Sequence, residues 1–204
     1  MIGQDGGFVA QLDACYVANH LCFSFDMWAV FSLFFFCFAS CSEICVDPCG
    51  GTSSQVCGST ENCCWTISLA LANAEPGDVI TLYPGEYSSN PGTYGLVVTM
   101  ENITITSHSD NVVIDLTYAP LVGGAISSTG NFIHIQAPDF VMQNITLTGK
   151  VPFSTDFLIA TDADEPSIKN CLFVDMMYDQ PALGLIEFRG NNSVISDCVF
   201  RNIT

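Results

Sequence analysis

The chain of 204 residues carries 21 acidic residues against 4 basic ones, a formal net charge of −17. No Lys or Arg precedes Lys150, which excludes a protein that grips nucleic acid or an anionic membrane through its own basic groups. Charged residues make up only 12% and hydrophobic ones 49%, so a sizeable core is predicted rather than disorder. Eleven Cys point to an oxidising compartment or to a metal site.

Residues 1–39 read as an upstream extension followed by a secretory signal. Met27 to Ala39 is an apolar block (Trp28, Val30, Phe31, Leu33 to Phe36, Phe38), too short to span a bilayer comfortably but suited to a signal core. Small residues follow at Ala39, Ser40 and Ser42, as cleavage requires, while the usual basic flank is missing. Met27 serves as the start in the simplest reading, and a membrane anchor or buried helix is the alternative. Cleavage after Ala39 leaves an even set of eight Cys, and no membrane span is expected once the signal is removed.

Residues 40–64 form a cysteine-rich segment with Cys41, Cys45, Cys49, Cys57, Cys63 and Cys64. Too few apolar residues lie here to build a core, so disulfides are the expected source of order. Zinc is the runner-up, but no Cys-x-x-Cys pair occurs and no His is nearby. Pairing among the six cannot be deduced from spacing.

From residue 65 onward periodicity dominates. Val141 to Leu147, Ser167 to Phe173 and Val194 to Phe200 align without gaps at spacings of 26 and 27 residues. Met142, Ile168 and Ile195 are apolar in one column; Asn144, Asn170 and Asp197 form an amide or carboxylate column; Leu147, Phe173 and Phe200 are large and apolar. Ile133, Ile159 and Ile186 precede the Asn column by 11 residues each. Short β-branched runs at such a period predict a solenoid of parallel strands, with like residues stacked coil upon coil. An Asn at each bend tolerates left-handed geometry and can hydrogen-bond along the stack; Asp197 offers no amide to continue that ladder. Thr66 to Ala74 predicts a short helix stopped by Pro76-Gly77, and Val79 to Leu82, Leu96 to Val98, Ile103 to Thr106 and Val112 to Leu116 predict the early strands.

The run from Trp65 through Pro76-Gly77-Asp78 to Pro84-Gly85-Glu86-Tyr87 resembles the opening of right-handed parallel β-helix proteins of the pectate-lyase-like superfamily. The Asn-x-x-Phe repeats are similar to that superfamily's coils. The resemblance covers residues 57–204 and implies an all-β parallel β-helix over 65–204, with a helix over 66–74 closing its first coil. It also implies lyases that use Arg or Lys bases and Ca²⁺, or hydrolases that use groups of Asp. No Asp-Asp pair beside Gly-His and no Arg-x-Lys occurs, so none of the family's catalytic residues can be carried over.

One surface gathers polar groups: His134 and Glu187 share a position in the repeat, Asp162 and Arg189 share another, and Asp164 and Glu165 lie just beyond. This set is a candidate sugar or Ca²⁺ groove, or else a solvated ion pair beside an acidic turn. Cys171 and Cys198 stack inward and are expected as buried free thiols. Asn102, Asn144, Asn191 and Asn202 head N-glycosylation sequons, with Asn191 first in expectation, then Asn102, and Asn144 committed to the ladder. The leading expectation is a secreted or cell-surface β-helix protein that binds or presents without catalysis. Carbohydrate or cell-surface glycans are its candidate partners, nucleic acid is not, and no cofactor is expected, with Ca²⁺ as the alternative. The competing expectation is a polysaccharide lyase or glycoside hydrolase whose catalytic coils are missing or unrecognised. The pattern stops in mid-repeat at Thr204, which suggests the N-terminal part of a longer solenoid.

Overall fold

The computed structural model describes residues 42–87, 95–109, 112–118, 131–151, 157–178 and 184–204. The expected extension and signal over 1–39, and Cys41, lie outside the described residues.

Fifteen short strands and one helix are described. β1 (Glu43–Val46) and α1 (Ile67–Asn73) come first, then strands recur in threes. The first coil is β2 (Val79–Leu82), β3 (Gly85–Glu86) and β4 (Leu96–Val98). The second is β5 (Thr104–Ser107), β6 (Val112–Asp115) and β7 (Ile133–Ile135), with a 3₁₀ turn at Leu116–Tyr118. The third is β8 (Val141–Gln143), β9 (Thr146–Val151) and β10 (Phe157–Thr161). The fourth is β11 (Ser167–Lys169), β12 (Leu172–Tyr178) and β13 (Gly184–Phe188), and β14 (Val194–Ser196) and β15 (Val199–Ile203) open the next.

Every third strand joins the same sheet. The first sheet runs β1-β2-β5-β8-β11-β14, the second β4-β7-β10-β13 and the third β3-β6-β9-β12-β15. All the pairings between these strands are parallel. This is a parallel β-helix, whose coils repeat at about 4.8 Å. Registers superpose the apolar columns read in the sequence: Ile105, Met142, Ile168 and Ile195 in the first sheet, and Ile133, Ile159 and Ile186 in the second. Leu147, Phe173 and Phe200 align in the third, with the two Phe rings stacked at 4.8 Å. Burying each such side chain stabilises the coil by about 1.5–3 kcal/mol. On the last coil Ile195 and Phe200 are 44% and 46% exposed.

The bends are built from left-handed residues. Asn144, Asn170 and Asp197 have φ of 60°, 49° and 55° between the first and third sheets. Asp139, Glu165 and Asn192 do the same ahead of the first sheet, with Asn102 preceding them, and Asp175 and Asn202 form a third column within β12 and β15. Asn and Asp accept this geometry because their short polar side chains bond locally. In β9 the third column has no counterpart: the register slips between Val174 and Met176, and Gly149 at φ 100° takes up the bend. A side chain there would collide with Asp115 and Thr117.

The cysteine-rich segment supplies a strand of the solenoid as well as its staple. β1 pairs with β2 in parallel, and Ile44, Cys45 and Val46 are buried. Disulfides join Cys45 to Cys63 and Cys57 to Cys64, whereas Cys49 is an exposed free thiol. Four of the six candidate Cys are thus cross-linked, Cys41 lies outside the described residues, and Cys49 sits in a turn held by Asp47, which accepts from its backbone N–H at 2.8 Å. α1 packs on β1, β2 and β4 and so closes this end of the coil. Its N-cap is Thr66, whose hydroxyl accepts from Leu69 N at 3.0 Å, and Ile67, Ala70 and Leu71 face the core. Asp78 fastens the junction. One carboxylate oxygen accepts from Ser42 N and Oγ, each at 2.9 Å, and the other from Glu75 N at 2.8 Å. Tyr87 is buried with its hydroxyl 2.9 Å from Tyr83 O and 3.0 Å from Val46 O, so burial pushes the phenol far above its ordinary pKa.

Candidate functional site

Side chains alternate in and out along each strand of the second sheet. Ile133 and Ile135 of β7, Ile159 and Thr161 of β10, and Ile186 and Phe188 of β13 point to the core. The outward positions stack too: Val97, His134, Ala160 and Glu187 form one column. Gln136, Asp162 and Arg189 form the next. Each continues the parallel ladder one residue past its strand, with Gln136 N bonded to Val98 O, Asp162 N to Ile135 O and Arg189 N to Thr161 O.

Asp162 is the centre of this outward face. From the coil on one side, His134 Nε2 lies 2.7 Å from Asp162 Oδ2. From the coil on the other side, Arg189 Nη1 donates to Asp162 Oδ1 at 3.1 Å. Arg189 Nη2 also sits 2.7 Å from Glu187 Oε2, an ion pair in contact but without hydrogen-bond alignment. Gln136 Nε2 lies 3.2 Å from His134 Nδ1. Both ring nitrogens of His134 therefore have a polar partner, Asp162 at Nε2 and Gln136 at Nδ1.

These contacts set the charge states. The His134 hydrogen bond, ahead of the contact with Arg189, holds the Asp162 carboxyl below the usual carboxylate range. Contact with Glu187, then with Asp162, raises the Arg189 guanidinium above its ordinary value. His134 is buried, with 8% of its side chain exposed, whereas the side chains of Asp162 and Arg189 are 42% and 59% exposed. The His therefore acts as a fixed donor beneath an open carboxylate–guanidinium pair.

Asp164 and Glu165 turn away from this cluster. Asp164 Oδ1 accepts from Asn191 N at 2.7 Å and Nδ2 at 3.0 Å, and Glu165 Oε1 accepts from Asn192 Nδ2 at 3.3 Å. All three bonds run along the solenoid axis to the next bend. Among the described residues, no three His, Cys, Asp or Glu side chains gather so as to hold a metal ion. Gln136 is the member that the sequence reading missed. It precedes Asn144 by 8 residues, as Asp162 precedes Asn170 and Arg189 precedes Asp197, so the repeat itself carried the signal.

The other expected positions are spread over separate surfaces. Asn170 Nδ2 donates to Asn144 Oδ1 at 2.7 Å, and Asn144 Nδ2 lies 3.4 Å from Thr106 Oγ1. Asn202 Nδ2 donates to Asp175 Oδ1 at 2.7 Å, and Asn191 is tied to Asp164. Asn102 is exposed at its bend. Cys171 and Cys198 are free thiols, and burial pushes the Cys171 thiol up to about 11. No helix among the described residues is long and apolar enough to cross a membrane.

No protein-family model and no curated protein matches the chain. Among solved structures, pectin methylesterase PemA from Erwinia chrysanthemi is similar at 19% identity and a TM-score of 0.52, over 78% of this chain and 49% of that one. A pectin methylesterase mutant in complex with a hexasaccharide is similar at 21% identity and a TM-score of 0.51, over the same shares. The chain thus spans about half the length of the structures it matches. These likenesses place it in the right-handed parallel β-helix fold of the pectate-lyase type.

Proposed function

We propose that this chain is part of a secreted or cell-surface β-helix protein that binds carbohydrate on the outward face of its second sheet. The observation that carries the reading is the Asp162 carboxylate, clamped by His134 from one coil and Arg189 from the other. The clamp spends few of the cluster's polar valences. A guanidinium has five N–H donors, and Glu187 Oε1 and the Gln136 carbonyl remain as acceptors. Such a rigid mixture of donors and acceptors suits the vicinal hydroxyls of a sugar. The rung repeat of about 4.8 Å is also close to the length of one pyranose unit, so a glycan lying along the axis would meet one polar rung per sugar. The solved complex of a structurally similar protein with a hexasaccharide supports the direction of this reading.

The catalytic alternative draws on the 2.7 Å His134–Asp162 pair, which has the spacing of an acid–base dyad. Binding is favoured because both imidazole nitrogens are occupied, Nε2 by Asp162 and Nδ1 by Gln136, which leaves no site to take a proton from a ligand. Native affinity electrophoresis through gels holding single polysaccharides tests the proposal. At least one should retard the chain, and Arg189→Ala should abolish the retardation without changing the far-UV spectrum. Passage of the wild type unretarded through every gel would sink the binding role, and release of reducing ends or ester groups would replace it with catalysis.

A further inference from the structure

The same face names the class of glycan it takes. Resting on the carbohydrate-binding reading above, we infer that the site selects uncharged glycans and rejects polyuronates. Among the described residues the second sheet and its ladder extensions contribute one cation, Arg189. Lys169 lies on β11 of the first sheet, and Lys150 and Arg201 lie on β9 and β15 of the third. Arg189 is held between two carboxylates, Asp162 and Glu187. Its three charged partners, Arg189, Asp162 and Glu187, bring one positive and two negative formal charges to the cluster.

A polyuronate brings one carboxylate per sugar. Recognition of a carboxylate works best as a bidentate pair with an Arg fork. Here the fork is already engaged at both ends, by Asp162 on Nη1 and Glu187 on Nη2. An incoming carboxylate would have to displace one of them and leave it facing like charge. It would also approach a chain of net charge −17. A bound divalent cation would reverse this logic, but no group among the described residues assembles the three ligands for one. Hydroxyl groups meet no such penalty: they donate to Glu187 and Asp162 and accept from the unused guanidinium N–H groups. Two like-charge encounters at about 5 Å in water, offset by one attraction to Arg189, leave about a fourfold loss of affinity, more where the site is partly dry.

The test uses two panels on the full chain: neutral gels (galactomannan, xyloglucan, hydroxyethylcellulose, fully methyl-esterified homogalacturonan) and polyanionic gels (polygalacturonate, alginate), each with and without Ca²⁺. The expected result is retardation by at least one neutral polymer and at least about fourfold weaker retardation by every polyanion. The double variant Asp162→Asn with Glu187→Gln turns the cluster from net −1 to net +1 and should gain retardation by polygalacturonate at low salt. A gain of binding cannot be produced by misfolding. Retardation of the wild type by a polyanion as strong as by any neutral polymer, in either Ca²⁺ arm, overturns the inference while leaving carbohydrate binding intact. So does a double variant that gains nothing. Retardation by neither panel overturns the carbohydrate reading itself, and this inference with it.

Discussion

Asp78 is where three parts of the N-terminal end meet, and its removal is the most exposed test of the fold. The carboxylate is 2% exposed and receives three hydrogen bonds, two from Ser42 and one from Glu75 N at the end of α1. Hydrogen bonds to a charged acceptor are worth about 1.5–3 kcal/mol each, but these share one carboxylate and do not add. Ser42 and Glu75 are exposed and regain water when the acceptor is lost, so Asp78→Ala should cost about 2–4 kcal/mol. With a urea slope of about 2 kcal/mol/M, the unfolding midpoint by circular dichroism falls by about 1–2 M. Asp78→Asn sets an amide donor against one of the two donor groups and should recover at most half the loss. Amide exchange should rise first at Ile44 to Val46, because among the described strands β1 ends the first sheet and pairs with β2. A midpoint for Asp78→Ala within about 0.25 M of wild type would refute the reasoning.

Three further outcomes follow from the described contacts. The Asp162 carboxyl has a folded pKa below its unfolded value, so its contribution to stability is present above the ordinary carboxylate range and is lost as pH falls through the folded value. For an exposed pair this is at most about 1 kcal/mol; comparing urea midpoints at pH 7 and pH 3 should show a smaller pH effect in Asp162→Asn than in wild type, and an unchanged effect would count against the clamp. Iodoacetamide at pH 8 should label the exposed Cys49 within minutes and leave Cys171, with its pKa near 11, unlabelled until urea is added; mass spectrometry of the peptides reads both. Asn170→Ala removes the bond to Asn144 and forces a β-carbon into φ 49°, for a loss of about 1–2 kcal/mol; Asn170→Gly should recover the conformational part, and equal losses in the two variants would show that the backbone is not strained.

The solenoid was legible where its coils are alike. Met142, Ile168 and Ile195 recur at 26 and 27 residues because the last coils have nearly equal bends, whereas 37 residues separate Ile105 from its partner Met142. That longer coil hides the early repeats from alignment, and only their strand composition revealed them. β1 escaped because its four residues include a Cys, so Ile44 and Val46 read as part of a staple rather than as a rung. At the site, the stacking of Asp162 with Arg189 was visible as a shared repeat position. The bonds of Asp164 and Glu165 to Asn191 and Asn192 were not legible, since bend residues project along the axis rather than across the sheet. The Asp175–Asn202 pair keeps the 27-residue spacing, but the matching position in β9 is Gly149, so no third amide or carboxylate marked the column.

The cluster is assembled from three coils, yet none of its side chains is asked to hold the core. Ile133, Ile135, Ile159 and Thr161 fill the interior, and His134, Gln136 and Asp162 ride on the alternate positions. Their backbone amides are each bonded to the coil before, at 2.9 Å for Gln136 and Arg189 and 3.0 Å for Asp162. The placement of the three outward groups thus inherits the precision of the ladder rather than that of a loop. A slip of one residue in β7 would exchange an Ile for His134 at the interior, at a cost far above that of any contact on the face. The hydrophobic columns therefore fix the register, and the register fixes the distances at Asp162. Outward residues on this sheet can change identity without unfolding the coil, which is why their charge rather than their packing decides what the face will bind.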